Sequence, residues 1–120
     1  MTTYRTLKVA SNIQYVMTQH MREIFAFDQE MLDAIITITR VQISADLKIA
    51  NCYVVRGYHS KISQDIVINK LNKVRHLFRK AINHALVLKY SPEIRFFYDI
   101  SIDNVDRVNQ ILQNIASKDA

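Results

Sequence analysis

"AIITITRVQISADLKIANCYVVRG", residues 34 to 57, decides how this chain is built. β-Branched and aromatic residues crowd both halves, and only Ala45 and Asp46 separate "AIITITRVQIS" from "LKIANCYVVRG". The stretch therefore predicts an antiparallel hairpin. In its first half the apolar phase slips: Ile36 and Ile38 share one parity, Val41 and Ile43 the other. Two readings fit. One is a β-bulge at Thr39 and Arg40, because an inserted residue exchanges the faces of all that follow; the other is a strand buried on both sides. Cys52 shares a side with Ala50 and Val54, which makes it a small hydrophobe of a covered face rather than a nucleophile.

Helical periods flank the hairpin. Between Arg5 and Phe27, Ala10, Ile13, Met17, Met21 and Ile24 recur every three or four residues, predicting an amphipathic helix that ends before the polar "DQE" of 28 to 30. From Ser63 to Lys89 the helical period returns, with Ser60 or Ser63 as cap and Asp65 where the helix dipole favours an anion. Pro92 ends it, and alternating Ile94, Phe96 and Tyr98 predict a third strand, with Phe96 in the core and no stacking role assigned to Phe97 or Tyr98. Val105, Val108, Leu112 and Ile115 form the stripe of a closing helix. One glycine and one proline leave few breakers, so residues 1–120 read as a single domain with an ordered core of about 5–116.

Composition narrows the function. A net charge of +5 and a pI near 9.5 suggest an anionic partner. One cysteine rules out an internal disulfide and a cysteine-based metal site, which fits a reducing compartment. No apolar run approaches a membrane span, and "MTTYRTLKVASNIQ" lacks the features of a signal peptide, which points to the cytoplasm. His20 and Glu23 lie one helical turn apart without a second histidine, and no glycine-rich loop could cradle a nucleotide, so neither a catalytic set, a metal site nor a cofactor is expected.

The charge is concentrated. "NKVRHLFRK", residues 72 to 80, holds four cations and a histidine, and no acid lies between Asp65 and Glu93. Leu71, Val74, Phe78, Ala81, Ile82 and Ala85 mark the apolar face; Lys70, Lys73, His76, Lys80 and His84 follow the next one, with Arg75 and Arg79 flanking. Like charges one turn apart oppose helix formation by a few tenths of a kcal/mol per pair, so the row does not serve local stability. It suits a polyanion, and nucleic acid fits better than a membrane because the apolar face is needed by the sheet. The alternative is a non-catalytic module that sets this helix against an acidic protein partner.

Three stretches resemble the bacterial ribosome-binding factor A family. "ITITRVQISADLKIANCYV" is similar to its strand pair, with Ser44, Asp46 and Leu47 at the Ser-x-Asp-Leu turn and Ala50, Cys52 and Val54 following. "LNKVRHLFRKAINHALVLKYSPEIRFFYD" resembles its helix, Pro-Glu turn and strand through Arg79, Pro92, Glu93, Phe96 and Asp99, and "KVASNIQ" resembles its helix opening. The resemblance implies an α+β, type II K-homology-like domain in the order α-β-β-α(kink)α-β-α, with a three-stranded mixed sheet backed by helices. It also implies a non-enzymatic assembly factor that binds the immature small ribosomal subunit and its ribosomal RNA, aids late maturation of that RNA and supports growth in the cold. Such a factor is expected to be a monomer when free. The RNA-binding residues expected are Arg5, Lys8, Lys70, Lys73, Arg75, His76, Arg79, Lys80 and Lys89.

Two positions depart from the family pattern. Val74, Arg75 and His76 stand where the family has Ala-x-Gly, and Asp28, Gln29 and Glu30 stand where it has Asp-Pro-Arg. An unbroken helix over Ser63 to Lys89 would be about 40 Å long and would overhang a domain of this size. A break is therefore expected within 74–77, with His76 irregular and Arg75 and Arg79 turned toward RNA.

Overall fold

The first helix begins on a pair of threonines. Thr3 Oγ1 accepts the Thr6 N–H at 3.2 Å and Thr6 Oγ1 accepts the Thr3 N–H at 2.8 Å, a reciprocal cap that starts α1, Tyr4–Ile24. The computed structural model describes residues 3–101. Along α1 the expected stripe of Ala10, Ile13, Met17 and Met21 is buried.

The polar "DQE" does more than end that helix. Asp28 Oδ1 accepts the Met31 N–H at 3.2 Å and starts a short helix that the sequence reading did not anticipate, α2, Gln29–Ala34. Met31 and Ala34, three residues apart and both buried, were the available signal. Ile35 closes α2 in the left-handed region at φ 52°, and the Gly57 N–H binds the Ala34 carbonyl at 2.7 Å. A Cβ on Gly57 would sit 3.0 Å from that oxygen, so this close approach accounts for the one glycine.

The hairpin forms as β1, Thr37–Ile43, antiparallel to β2, Ile49–Val55. Pairing passes from Ile38↔Val54 to Arg40↔Tyr53 and skips Thr39, so the bulge is present. It lets Ile38 and Val41 both face the core while Thr37, Arg40 and Gln42 face outward, which excludes the strand buried on both sides. The connection is longer than expected. Ser44 Oγ accepts from the Lys48 and Ile49 N–H groups at 3.2 and 3.0 Å, and Leu47 takes φ 63°.

Ser63, not Ser60, caps α3, Gln64–Lys73, through a 3.2 Å bond from the Asp65 N–H. A separate helix, α4, Arg75–Ala85, follows directly, so the break lies within the expected window. Its irregular residue is Val74 rather than His76, which is helical. At φ −112° and ψ 12° Val74 occupies the bridge between the helical and extended regions, which a β-branched residue can enter and which needs no glycine. The Val74 N–H bonds to the Leu71 carbonyl at 3.2 Å and the Leu77 N–H to the Val74 carbonyl at 2.9 Å, so three-residue turns replace the four-residue ladder. The Val74 side chain packs on the core and pins the break in place.

β3, Glu93–Tyr98, pairs parallel with β2, giving a mixed sheet in the order β1-β2-β3. A parallel neighbour requires a crossover, and α3 with α4 supplies it. Ala50, Cys52, Val54, Ile94 and Phe96 face the helices in one core with Phe78, which lies 6.4 Å from Phe25 and 5.4 Å from Phe96 between ring centroids. Burial pushes the Cys52 thiol up to about 12, consistent with an inert core position. The closing helix expected through Val105 and Ile115 lies outside the described residues. Among those described, no helix is long and apolar enough to cross a membrane and no group of three or more metal-ligating side chains occurs.

Candidate nucleic-acid interface

The break sets the geometry of the basic segment. The start of α4 has no side-chain cap and no acid in its first turn, leaving the positive end of its dipole beside Arg75 and His76. Arg75, His76 and Arg79 line a cleft of about 400 Å³ whose other wall is Glu93 and Ile94 of β3. Lys73, Arg75, His76, Arg79 and Lys80 are all exposed.

Arg79 is fixed rather than free. Its Nε donates to Ser91 Oγ at 2.7 Å and an Nη to the Ser91 carbonyl at 3.1 Å, tying α4 to the segment ahead of Pro92 while the guanidinium still lines the cleft. Arg5 and Lys8, from α1, line a second cleft of about 370 Å³ with Leu86, Val87 and Leu88, the chain that leads to Lys89. The fold thus brings the α1 cations beside the exit of α4.

Lys70 stands apart. Its Nζ lies 2.9 Å from Asp28 Oδ2 and 2.8 Å from Glu30 Oε1, so α2 neutralises it. The absence of acids from Asp65 to Glu93 holds along the chain but not in space. The Lys70 ammonium holds the Asp28 carboxyl below its ordinary range, and in turn Glu30 first, then Asp28, raises Lys70. Glu30, where the family pattern has a cation, thus has a packing partner. The sequence reading missed Lys48 and Tyr90: Lys48 Nζ is 5.2 Å and Lys89 Nζ 5.4 Å from the centroid of the exposed Tyr90 ring. Only the β2–β3 pairing, which sets the Lys48 carbonyl 2.8 Å from the Glu93 N–H, brings them together.

A three-stranded mixed sheet, helices on one face and a broken crossover helix with an open cationic flank define a small α+β domain of the K-homology-like class. The family model described as Ribosome-binding factor A matches residues 5–112. The chain is 36% identical over 116 residues to a ribosome-binding factor A of Rickettsia prowazekii (strain Madrid E), covering 97% of this chain and 90% of the relative. It is 36% identical over 112 residues to that of Rickettsia felis, covering 93% and 92%. Among solved structures, a putative ribosome binding factor A from Thermotoga maritima superposes with a TM-score of 0.66 at 28% identity, covering 81% of this chain and 89% of its own. Ribosome-binding factor A from Thermus thermophilus gives 0.66 at 13% identity, covering 79% and 97%, a likeness of fold. The chain belongs to the ribosome-binding factor A family.

Proposed function

We propose that this chain is a cytoplasmic ribosome assembly factor that binds the immature small ribosomal subunit through its ribosomal RNA and aids late maturation of that RNA, with growth in the cold as the condition that needs it most. It acts as a monomer when free, by binding and without catalysis. The observation that carries this reading is the exposed cationic flank of the broken helix, Lys73, Arg75, His76, Arg79 and Lys80, beside an open cleft in a member of this family. An uncapped helix start among cations attracts phosphate, and phosphate contacts dominate the affinity of nucleic-acid binders. Arg5, Lys8 and Lys89 extend the surface, whereas Lys70 positions α2.

Fractionation of ribosomal particles tests it. The chain is expected to co-migrate with free small subunits; its recovery only with translating ribosomes, or only in the unbound fraction, would overturn the reading.

A further inference from the structure

The sheet face turned away from the helices carries a stack that the basic helix does not use. Arg40, Tyr53 and Phe97 are partners across β1, β2 and β3. The Arg40 guanidinium carbon lies 4.0 Å from the Tyr53 centroid, and Phe97 stacks on the same ring with centroids 5.5 Å apart and planes 29° apart. β1 and β3 flank β2, so the two neighbours reach Tyr53 from opposite sides.

The stack stops at Phe97. β3 is an edge strand of the sheet, Phe97 is 42% exposed, and among the described residues no further ring or cation continues the series. The surrounding row is Gln42, Asn51 and Arg95. Glu93 is the one acid pointing outward from the three strands, and Arg95 holds it at 3.2 Å. Arg40 has no carboxylate partner among the described residues. Glu93 also lines the α4 cleft, so the cationic flank and this face meet at the β3 edge.

We propose that this face binds unpaired bases of RNA, with one base stacking on the outer side of Phe97 and Arg40 and Arg95 attracting the adjoining phosphates. A flat aromatic partner carrying an anion matches both halves of the surface, and sheet aromatics are suited to splayed-out bases. A peptide aromatic would satisfy the ring but leave the Arg40 guanidinium without an anion, and a duplex keeps its bases inside. The proposal rests on the RNA-binding reading of α4 and adds selection: α4 holds phosphates of either form, and the sheet favours single strands.

The test titrates the full chain with a labelled oligoadenylate and a labelled blunt RNA duplex. Phe97→Ala is expected to weaken oligoadenylate binding by about 5- to 50-fold and leave duplex binding unchanged, with Phe97→Tyr restoring it. Reversal of Lys73 and Lys80 to Glu is expected to weaken both probes. Loss on that reversal with none on Phe97→Ala overturns the sheet proposal alone; absence of binding to either probe overturns both. The chain has no tryptophan, so Phe97→Trp gives one reporter that does not depend on the truncated variant folding. Its emission is expected to be quenched as oligoadenylate binds, while a Tyr15→Trp control on α1 stays constant. Constant emission at position 97 during saturable binding would show a cross-strand packing pair only.

Discussion

Thr39 Oγ1 donates a 2.7 Å hydrogen bond to Asp99 Oδ2, joining the bulged residue of β1 to the residue that follows β3. Asp99 is buried and also accepts from Ser101 Oγ at 2.6 Å. The bulge therefore does two things: it realigns the apolar phase of β1, and it aims a hydroxyl at a carboxylate shut away from water.

Thr39→Val is expected to lower stability by about 1–2 kcal/mol, because it keeps the branched shape and removes a donor to a buried carboxylate. Urea unfolding followed by circular dichroism measures it. A midpoint equal to that of the parent would show that the bond adds nothing.

The break at Val74 makes an unusual prediction for the family glycine. His76 is helical, so His76→Gly is expected to cost about 0.3–0.5 kcal/mol through helix propensity rather than to relieve a strained turn. Thermal denaturation checks the sign, and a gain in melting temperature would place the strain at His76.

Reversing Lys73 and Lys80 to Glu is expected to weaken RNA binding and flatten its salt dependence, by roughly one unit of slope for each phosphate that is no longer neutralised. Lys61→Glu, an exposed lysine ahead of α3, controls for net charge. Equal losses per charge from both changes would reduce the effect to overall charge.

Asp28 and Lys70 predict a pH dependence. The Asp28 carboxyl is held below its ordinary value of 3.8, chiefly by the Lys70 hydrogen bond, so its contribution is complete above that value and is lost as pH falls through the lower folded one. Asp28→Asn keeps a capping side chain but removes the charge. Between about pH 7 and about pH 3 the variant is expected to lose less stability than the parent, by under about 1 kcal/mol since the pair is partly exposed. Parallel urea titrations at the two pH values compare them, and identical losses would count against the pair.

The residues themselves determined a good deal. Alternation and helical spacing named α1, both hairpin strands, the crossover helix and β3, while the parity slip at Thr39 left a bulge and a strand buried on both sides as the two readings, and the pairing with β2 chose the bulge. These signals are local, because period, cap and turn chemistry act over a few residues. α2 was legible in principle through Asp28, Met31 and Ala34, but a six-residue helix gives its period too little length to register. The site divided differently. The acid-free row from Lys73 to Lys80 could be read directly, whereas the engagement of Lys70 by Asp28 and Glu30 depends on docking two segments some 42 residues apart. The Arg40–Tyr53–Phe97 stack likewise exists only through strand register, since a one-residue slip would turn each side chain to the other face. Only tertiary structure decided those partners, because charge and aromatic character are properties of a residue, while pairing is a property of the positions the fold brings together.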